Sequence, residues 1–179
     1  MRLPLALIAA FTALVAAVPL RADLLVGSKA PVFSAATAKA GKAGRFNLAA
    51  ALRQGPVVLY FYPKAFTQGC TLEARAFAEA TDDFAAAGAT VIGMSADDLE
   101  TLKRFSVEEC SSKFAVGVAT LAIIKAYDVA MGSSGMTSRT SYVIAPDGRI
   151  VLVHSDRDWR GHVSKTLAAV RALSTAPKR

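Results

Sequence analysis

The sequence predicts an α/β fold, a central mixed sheet flanked by helices, with an N-terminal extension. Three observations carry this. Residues 56–62 and 90–94 are short, continuous apolar runs rich in β-branched and aromatic residues, the mark of strands buried on both faces. The stretches that follow them carry apolar residues at helical spacing. Pro146-Asp147-Gly148 then separates two further β-rich runs as a hairpin turn. A chain of 179 residues has room for one such domain and an extension, with a core large enough to fold without staples.

The extension begins with an address. Residues 1–22 hold Arg2, an uncharged run from Leu3 to Leu20, then Leu20-Arg21-Ala22 before Asp23. This is the pattern of a Sec-type signal peptide cut after Ala22, with Ala17 as a secondary site. The run also just reaches spanning length, so an uncleaved inner-membrane anchor facing the periplasm is the alternative. No cysteine stands near the cut, which argues against a lipid anchor. Cleavage removes Arg2 and Arg21, two of the excess charges behind the net +7. The mature domain is expected to span residues 23–179 in an oxidising compartment.

Residues 23–54 read as mostly irregular. Pro31 to Phe33 is a candidate edge strand, residues 38–44 a mobile turn, and Asn47 to Arg53 a short helix. The buried strand at 56–62 stops at Pro63. Leu72, Phe77, Ala80 and Phe84 then predict one helix from Thr71 to Ala87, ended by Gly88. After the strand at 90–94, Ser95 to Asp98 supply an N-cap for a helix from Leu99 to about Glu109. A strand at 114–118 and a helical patch at 121–127 follow. Hairpin strands at 138–145 and 149–154 and a helix over 159–173 close the chain. That order is the order of a thioredoxin-like core.

Composition excludes several function classes. The chain is 53% hydrophobic and 20% charged, so it is not globally disordered. Lys and Arg are scattered without interleaved aromatics, so the positive charge reads as a solvated surface and no nucleic-acid partner is expected. Two cysteines cannot build a disulfide-dense scaffold or a four-cysteine zinc site. His154 and His162 have no carboxylate cluster near them in sequence, so no metal is expected.

The chemistry gathers at Cys70. The strand runs into Pro63, a short loop, and Thr67-Gln68-Gly69-Cys70 at the start of a helix. A helix N-terminus offers partial positive charge and free N–H groups, which bias a thiol toward the nucleophilic thiolate. Thr67 brings a hydroxyl within reach of the sulfur. Gly69 lets backbone approach a substrate, and Pro63 shields a small pocket. Such a pocket suits a small electrophile.

The motif Pro63-x-x-x-Thr67-x-x-Cys70 resembles the signature of the peroxiredoxins, and the string LYFYPKAFTQGCTLEA is similar to their PrxQ, or bacterioferritin-comigratory-protein, branch. Residues 91–97 and 138–148 resemble family segments in the same order. The resemblance implies a thioredoxin-like fold and thiol peroxidase activity on hydrogen peroxide and organic hydroperoxides, with no cofactor. It implies Cys70 as peroxidatic cysteine, with Thr67 and Pro63 hydrogen-bonding the peroxide and shielding the thiolate. Arg139 would favour the thiolate, and Glu73 would orient Arg139. A dithiol protein of thioredoxin type would be the reductant, and a monomer is the default of this branch.

Two positions depart from the pattern. Gln68 replaces a common proline, and Arg75 stands where many PrxQ members place a resolving cysteine. Cys110, expected near the end of the following helix, is the remaining candidate. It can resolve Cys70, form a fixed disulfide or stay free. If it resolves, the two sulfurs are expected to start well apart, with local unwinding around Cys110. The competing functions are a periplasmic thiol–disulfide oxidoreductase, disfavoured because Thr67 occupies the first position of a Cys-x-x-Cys pair, and an exported binding protein with a structural disulfide.

Overall fold

The computed structural model describes residues 24–175. The proposed leader, residues 1–22, lies outside the described residues. The elements, in chain order, are β1 (Ser34–Lys39), β2 (Lys42–Asn47), α1 (Leu48–Leu52), β3 (Val57–Phe61), α2 (Gln68–Glu79), α3 (Thr81–Ala86), β4 (Thr90–Ser95), α4 (Leu99–Glu108), β5 (Ala115–Val118), α5 (Leu121–Ala126), β6 (Thr140–Ile144), β7 (Ile150–Ser155) and α6 (Arg160–Thr175). One mixed sheet holds all seven strands in the order β2-β1-β5-β4-β3-β6-β7. β3, β4 and β5 run parallel; the remaining pairings are antiparallel.

β3 is an inner strand, between β4 and β6, and each of its residues is buried. Its period of two sorts side chains between two cores. Val58, Tyr60 and Tyr62 face one core with Phe77, Phe84, Phe105 and Val170 from α2, α3, α4 and α6. Val57, Leu59 and Phe61 face the other with Leu48, Ile123 and Ile124 from α1 and α5. Both cysteines belong to the first core. Tyr60 stacks on Phe77 with ring centroids 4.2 Å apart, and Tyr62 on Phe105 at 5.4 Å. Truncating Phe77 to alanine in so closed a setting costs about 3–5 kcal/mol.

Two expectations are corrected. The segment expected to be mostly irregular is a β-hairpin, and the strand begins at Ser34 rather than at residues 31–33. The turn at Ala40 and Gly41 has both residues in the left-handed region, the geometry that matches strand twist in a tight hairpin. β1 joins the sheet through β5 and packs against α4, with Ala35, Thr37 and Ala38 buried. The single helix expected over 71–87 is two. Ala80 leaves helical geometry, and the Thr81 hydroxyl donates to the Phe77 carbonyl at 3.0 Å across the break. The N-cap before Leu99 is Asp98, whose Oδ1 accepts from the Thr101 N–H at 2.8 Å.

The sheet brings the chemistry to one edge. Phe61, at the end of β3, pairs with Thr140, at the start of β6, and Thr140 pairs with Ser155, at the end of β7. The segments leaving β3, entering β6 and leaving β7 therefore meet beyond the carboxyl ends of the parallel strands, where open α/β sheets place ligands.

Candidate active site

The loop from β3 to α2 is tied down at several points. The Thr137 hydroxyl donates to the Tyr62 carbonyl at 2.7 Å. Asp97 Oδ2, beyond β4, accepts from the Ala65 N–H and the Ser95 hydroxyl, both at 2.8 Å. Phe66 adopts a left-handed φ of 62°, at a cost of about 1–2 kcal/mol. Its ring packs edge-on to Phe105 at 5.2 Å, beneath the Arg104 guanidinium at 5.2 Å. These contacts hold the strained residue and so aim the start of α2.

Thr67 is the N-cap. Its carbonyl accepts from the Thr71 N–H at 2.9 Å, and Cys70 falls in the first turn. The N–H groups of that turn lack intrahelical acceptors and face the region of the sulfur with partial positive charge. The Thr67 hydroxyl donates to the Lys64 carbonyl at 2.9 Å and makes no hydrogen bond to Cys70. Its proton is spent on the loop, and its lone pairs remain free to accept.

Arg139 precedes β6 and organises the site. Nη2 donates to Cys70 Sγ at 3.5 Å, Nε donates to the Arg157 carbonyl at 3.1 Å, and Nη1 pairs with Glu73 Oε2. Three directions of one planar fork are thus fixed. Cys70 is only 2% exposed. Gly69 leaves room for Arg139: a Cβ there would lie 3.1 Å from Nη2.

Glu73 lies one turn after Cys70 on the same face of α2 and is fully buried. Burial pushes its carboxyl up to about 8, against the pull of Arg139. Oε1 has no hydrogen-bond partner. His162 of α6, also fully buried, places Nδ1 3.7 Å from it. Pro63, Met131, Ser138, Arg139 and residues 155–157 line an open cavity of about 770 Å³ beside this cluster.

The fold therefore brings Cys70, Arg139 and Glu73 into one cluster, with Pro63 on the adjoining cavity wall and Thr67 at the head of the helix. Cys110 stands apart from this hydrogen-bonded cluster. It follows α4, is fully buried, and its N–H donates to the Phe105 carbonyl at 3.1 Å. Burial and Glu109 push its thiol up. Both cysteines are free thiols. Ser111 and Ser112, next after Cys110, both take left-handed φ, of 47° and 59°. Sequence reasoning missed His162, Ser141 and Asp97 as parts of the site. Asp97 lay inside a quoted segment; nothing in the sequence linked His162 to Glu73.

Comparison with known proteins decides the family. The model of the AhpC/TSA family matches residues 26–153. The chain belongs to that family. Among its relatives are peroxiredoxin Bcp of Xanthomonas campestris, 29% identical over 122 residues (65% of this chain and 76% of that protein), and chloroplastic peroxiredoxin Q of Sedum lineare, 32% identical over 125 residues (66% and 64%). The crystal structure of peroxidoxin BcpB from Mycobacterium tuberculosis superposes with a TM-score of 0.73 at 29% identity, covering 83% of this chain and 97% of that one. Reduced 2-Cys peroxiredoxin of Plasmodium vivax gives 0.73 at 25% identity, over 83% and 95%. This peroxiredoxin thus has the thioredoxin-like fold expected from its element order, and it is a thiol-dependent peroxidase.

Proposed function

We propose that Cys70 is the nucleophile of this peroxidase and that Arg139 is its principal activator. The observation that carries the reading is the Arg139 fork, which reaches Cys70 Sγ with one nitrogen while Glu73 and the Arg157 carbonyl hold the others. The Cys70 thiolate attacks one oxygen of a hydroperoxide, and the O–O bond breaks. The sulfur keeps one oxygen as sulfenic acid, and the other leaves as water or alcohol after taking a proton. Arg139 and the first-turn N–H groups stabilise the charge developing on the departing oxygen. Thr67, with its hydroxyl proton committed to Lys64, accepts the hydrogen bond of the peroxide O–H. The cavity beside Pro63 and Arg139 has room for an organic hydroperoxide as well as hydrogen peroxide.

Cys110 then supplies the second thiol. It condenses with the sulfenic acid to a disulfide and releases water, and a dithiol protein of thioredoxin type reduces the disulfide. The buried Cys110 must first leave its core, and the consecutive left-handed Ser111 and Ser112 mark the turn that opens. The protein acts as an exported monomer beginning at Asp23, or as an anchored form if residues 1–22 are retained. Peroxide consumption with dithiothreitol by the wild type and by Cys70→Ser tests the assignment. Full loss in the variant is expected; retained activity would move the nucleophile elsewhere.

A further inference from the structure

Among the described residues, Met131 is the one long apolar side chain on the wall of the cavity that Pro63 and Arg139 also line. It is 37% exposed, so its thioether has surface left to cover. The rest of that wall, apart from the Pro63 ring, is polar, and much of it is already partnered. Ser138 and Ser155 each hydrogen-bond to the Thr140 hydroxyl at 3.0 Å. The Arg139 fork is held by Glu73, Cys70 Sγ and the Arg157 carbonyl.

Backbone contacts register Met131 to the site. Ala130 and Thr137 form an antiparallel bridge, and the Ser138 N–H donates to the Val129 carbonyl at 2.7 Å. The Thr137 hydroxyl donates to the carbonyl of Tyr62, the residue before Pro63. One position beyond the bridge, the Met131 N–H donates to the Met136 carbonyl at 3.0 Å, and the Met131 carbonyl accepts from the Ser134 hydroxyl at 2.7 Å. Gly132 and Gly135, with φ of 56° and 75°, supply the left-handed turns that this short loop needs. The backbone of Met131 is thus fixed relative to Pro63, while its unbranched side chain stays adaptable.

Resting on the assignment of Cys70 and Arg139 above, we infer that Met131 is a specificity-determining residue: its side chain receives the organic group of a hydroperoxide and so favours alkyl and aralkyl hydroperoxides. The Cys70 sulfur bonds to the terminal oxygen of the hydroperoxide. The organic group is carried by the leaving oxygen, on the side away from the sulfur. Cys70 itself is buried, and the adjoining cavity is the space that takes that group. There the group covers the Met131 thioether and displaces water from both surfaces. Hydrogen peroxide has no such group and makes no such contact. The effect of Met131 is therefore a difference between substrates rather than a general activation.

The full protein reports this as a ratio. Second-order rate constants for cumene hydroperoxide and for hydrogen peroxide are measured with dithiothreitol in wild type, Met131→Gln and Met131→Leu. The glutamine variant keeps the length of the side chain and replaces the thioether by an amide; the leucine variant keeps an apolar surface. A contact of one or two methylenes in an apolar pocket is worth tenfold or more, so the cumene-to-hydrogen peroxide ratio is expected to fall about tenfold in Met131→Gln and to stay within about twofold of wild type in Met131→Leu. An unchanged ratio in Met131→Gln overturns the inference, whether the two rates hold or fall together. An equal loss of the ratio in both variants overturns it as well. Hydrogen peroxide separates this from the reading of the site. If wild type reduces it but the ratio does not respond to Met131→Gln, the specificity role alone is lost. A wild type that reduces neither substrate sinks the Cys70 assignment and this inference with it.

Discussion

Arg75 Nε donates to Glu109 Oε2 at 2.8 Å, joining the helix that carries Cys70 to the residue before Cys110. Arg75 occupies the position where the branch often carries its resolving cysteine. In this chain it clasps the segment that holds the candidate replacement. Arg75 is half exposed, and exposed pairs contribute about 0–1 kcal/mol, so the clasp biases the folded arrangement without locking it.

Breaking the clasp is therefore expected to speed disulfide formation by a few-fold. Arg75→Ala frees the end of α4 to open, and the Cys70 sulfenic acid should be captured by Cys110 sooner. Stopped-flow tryptophan fluorescence after one equivalent of peroxide reads the step, with peptide mapping to identify a Cys70–Cys110 link in monomers. A link only between chains would reassign Cys110 as an intersubunit partner.

Removing the activator has a larger effect. Arg139→Ala deletes the contact to Sγ and leaves Glu73 Oε2 without its partner. A charge-assisted contact is worth about 1.5–3 kcal/mol, one to two decades in rate. Peroxide reduction is expected to slow by well over tenfold, and the Cys70 thiol to titrate at higher pH. An unchanged alkylation profile would remove Arg139 from the site.

Stability should fall on the alkaline side. Burial raises Glu73 from 4.5 to about 8 and lowers His162 from 6.5 to about 4. Between about pH 4.5 and 6.5 the folded pair holds one proton and the unfolded chain holds one on its histidine, so this pair contributes no slope. Above 6.5 the unfolded chain releases its proton while the folded pair keeps one until about 8. The folded state then binds more protons, and stability falls as pH rises across that window, by on the order of 2 kcal/mol. Urea unfolding at pH 6 and pH 8.5 checks this against the Glu73→Gln/His162→Gln double variant, in which the fall should shrink by that amount.

Much of this was legible in the residues and some was not. The buried strands at 57–61 and 90–95 announce themselves because both faces are covered and the runs are continuously apolar. Cys70, Thr67 and Pro63 form a compact local motif. The β1–β2 hairpin was not legible, because its strands are mostly Ala, Lys, Gly and other small or polar residues with Phe46 the one large apolar side chain, and β1 is secured by pairing to the distant β5. Sequence spacing could suggest Glu73 beside Cys70, since both share one helix face. It could not suggest His162, which reaches Glu73 only because α6 packs back across α2.

Export rests on residues 1–22 alone. N-terminal sequencing of protein recovered from the cell envelope is expected to begin at Asp23. An intact Met1 in the membrane fraction would instead mark the segment as an anchor.

The most direct measurement of the central claim is intact-mass and peptide analysis of the Cys110→Ser variant after one equivalent of hydrogen peroxide, with a sulfenic-acid trap present. One trap adduct on Cys70, formed in step with peroxide loss and absent from Cys70→Ser, is the expected result. Peroxide loss that leaves Cys70 unmodified, or that continues in Cys70→Ser, would contradict the assignment of Cys70 as the nucleophile.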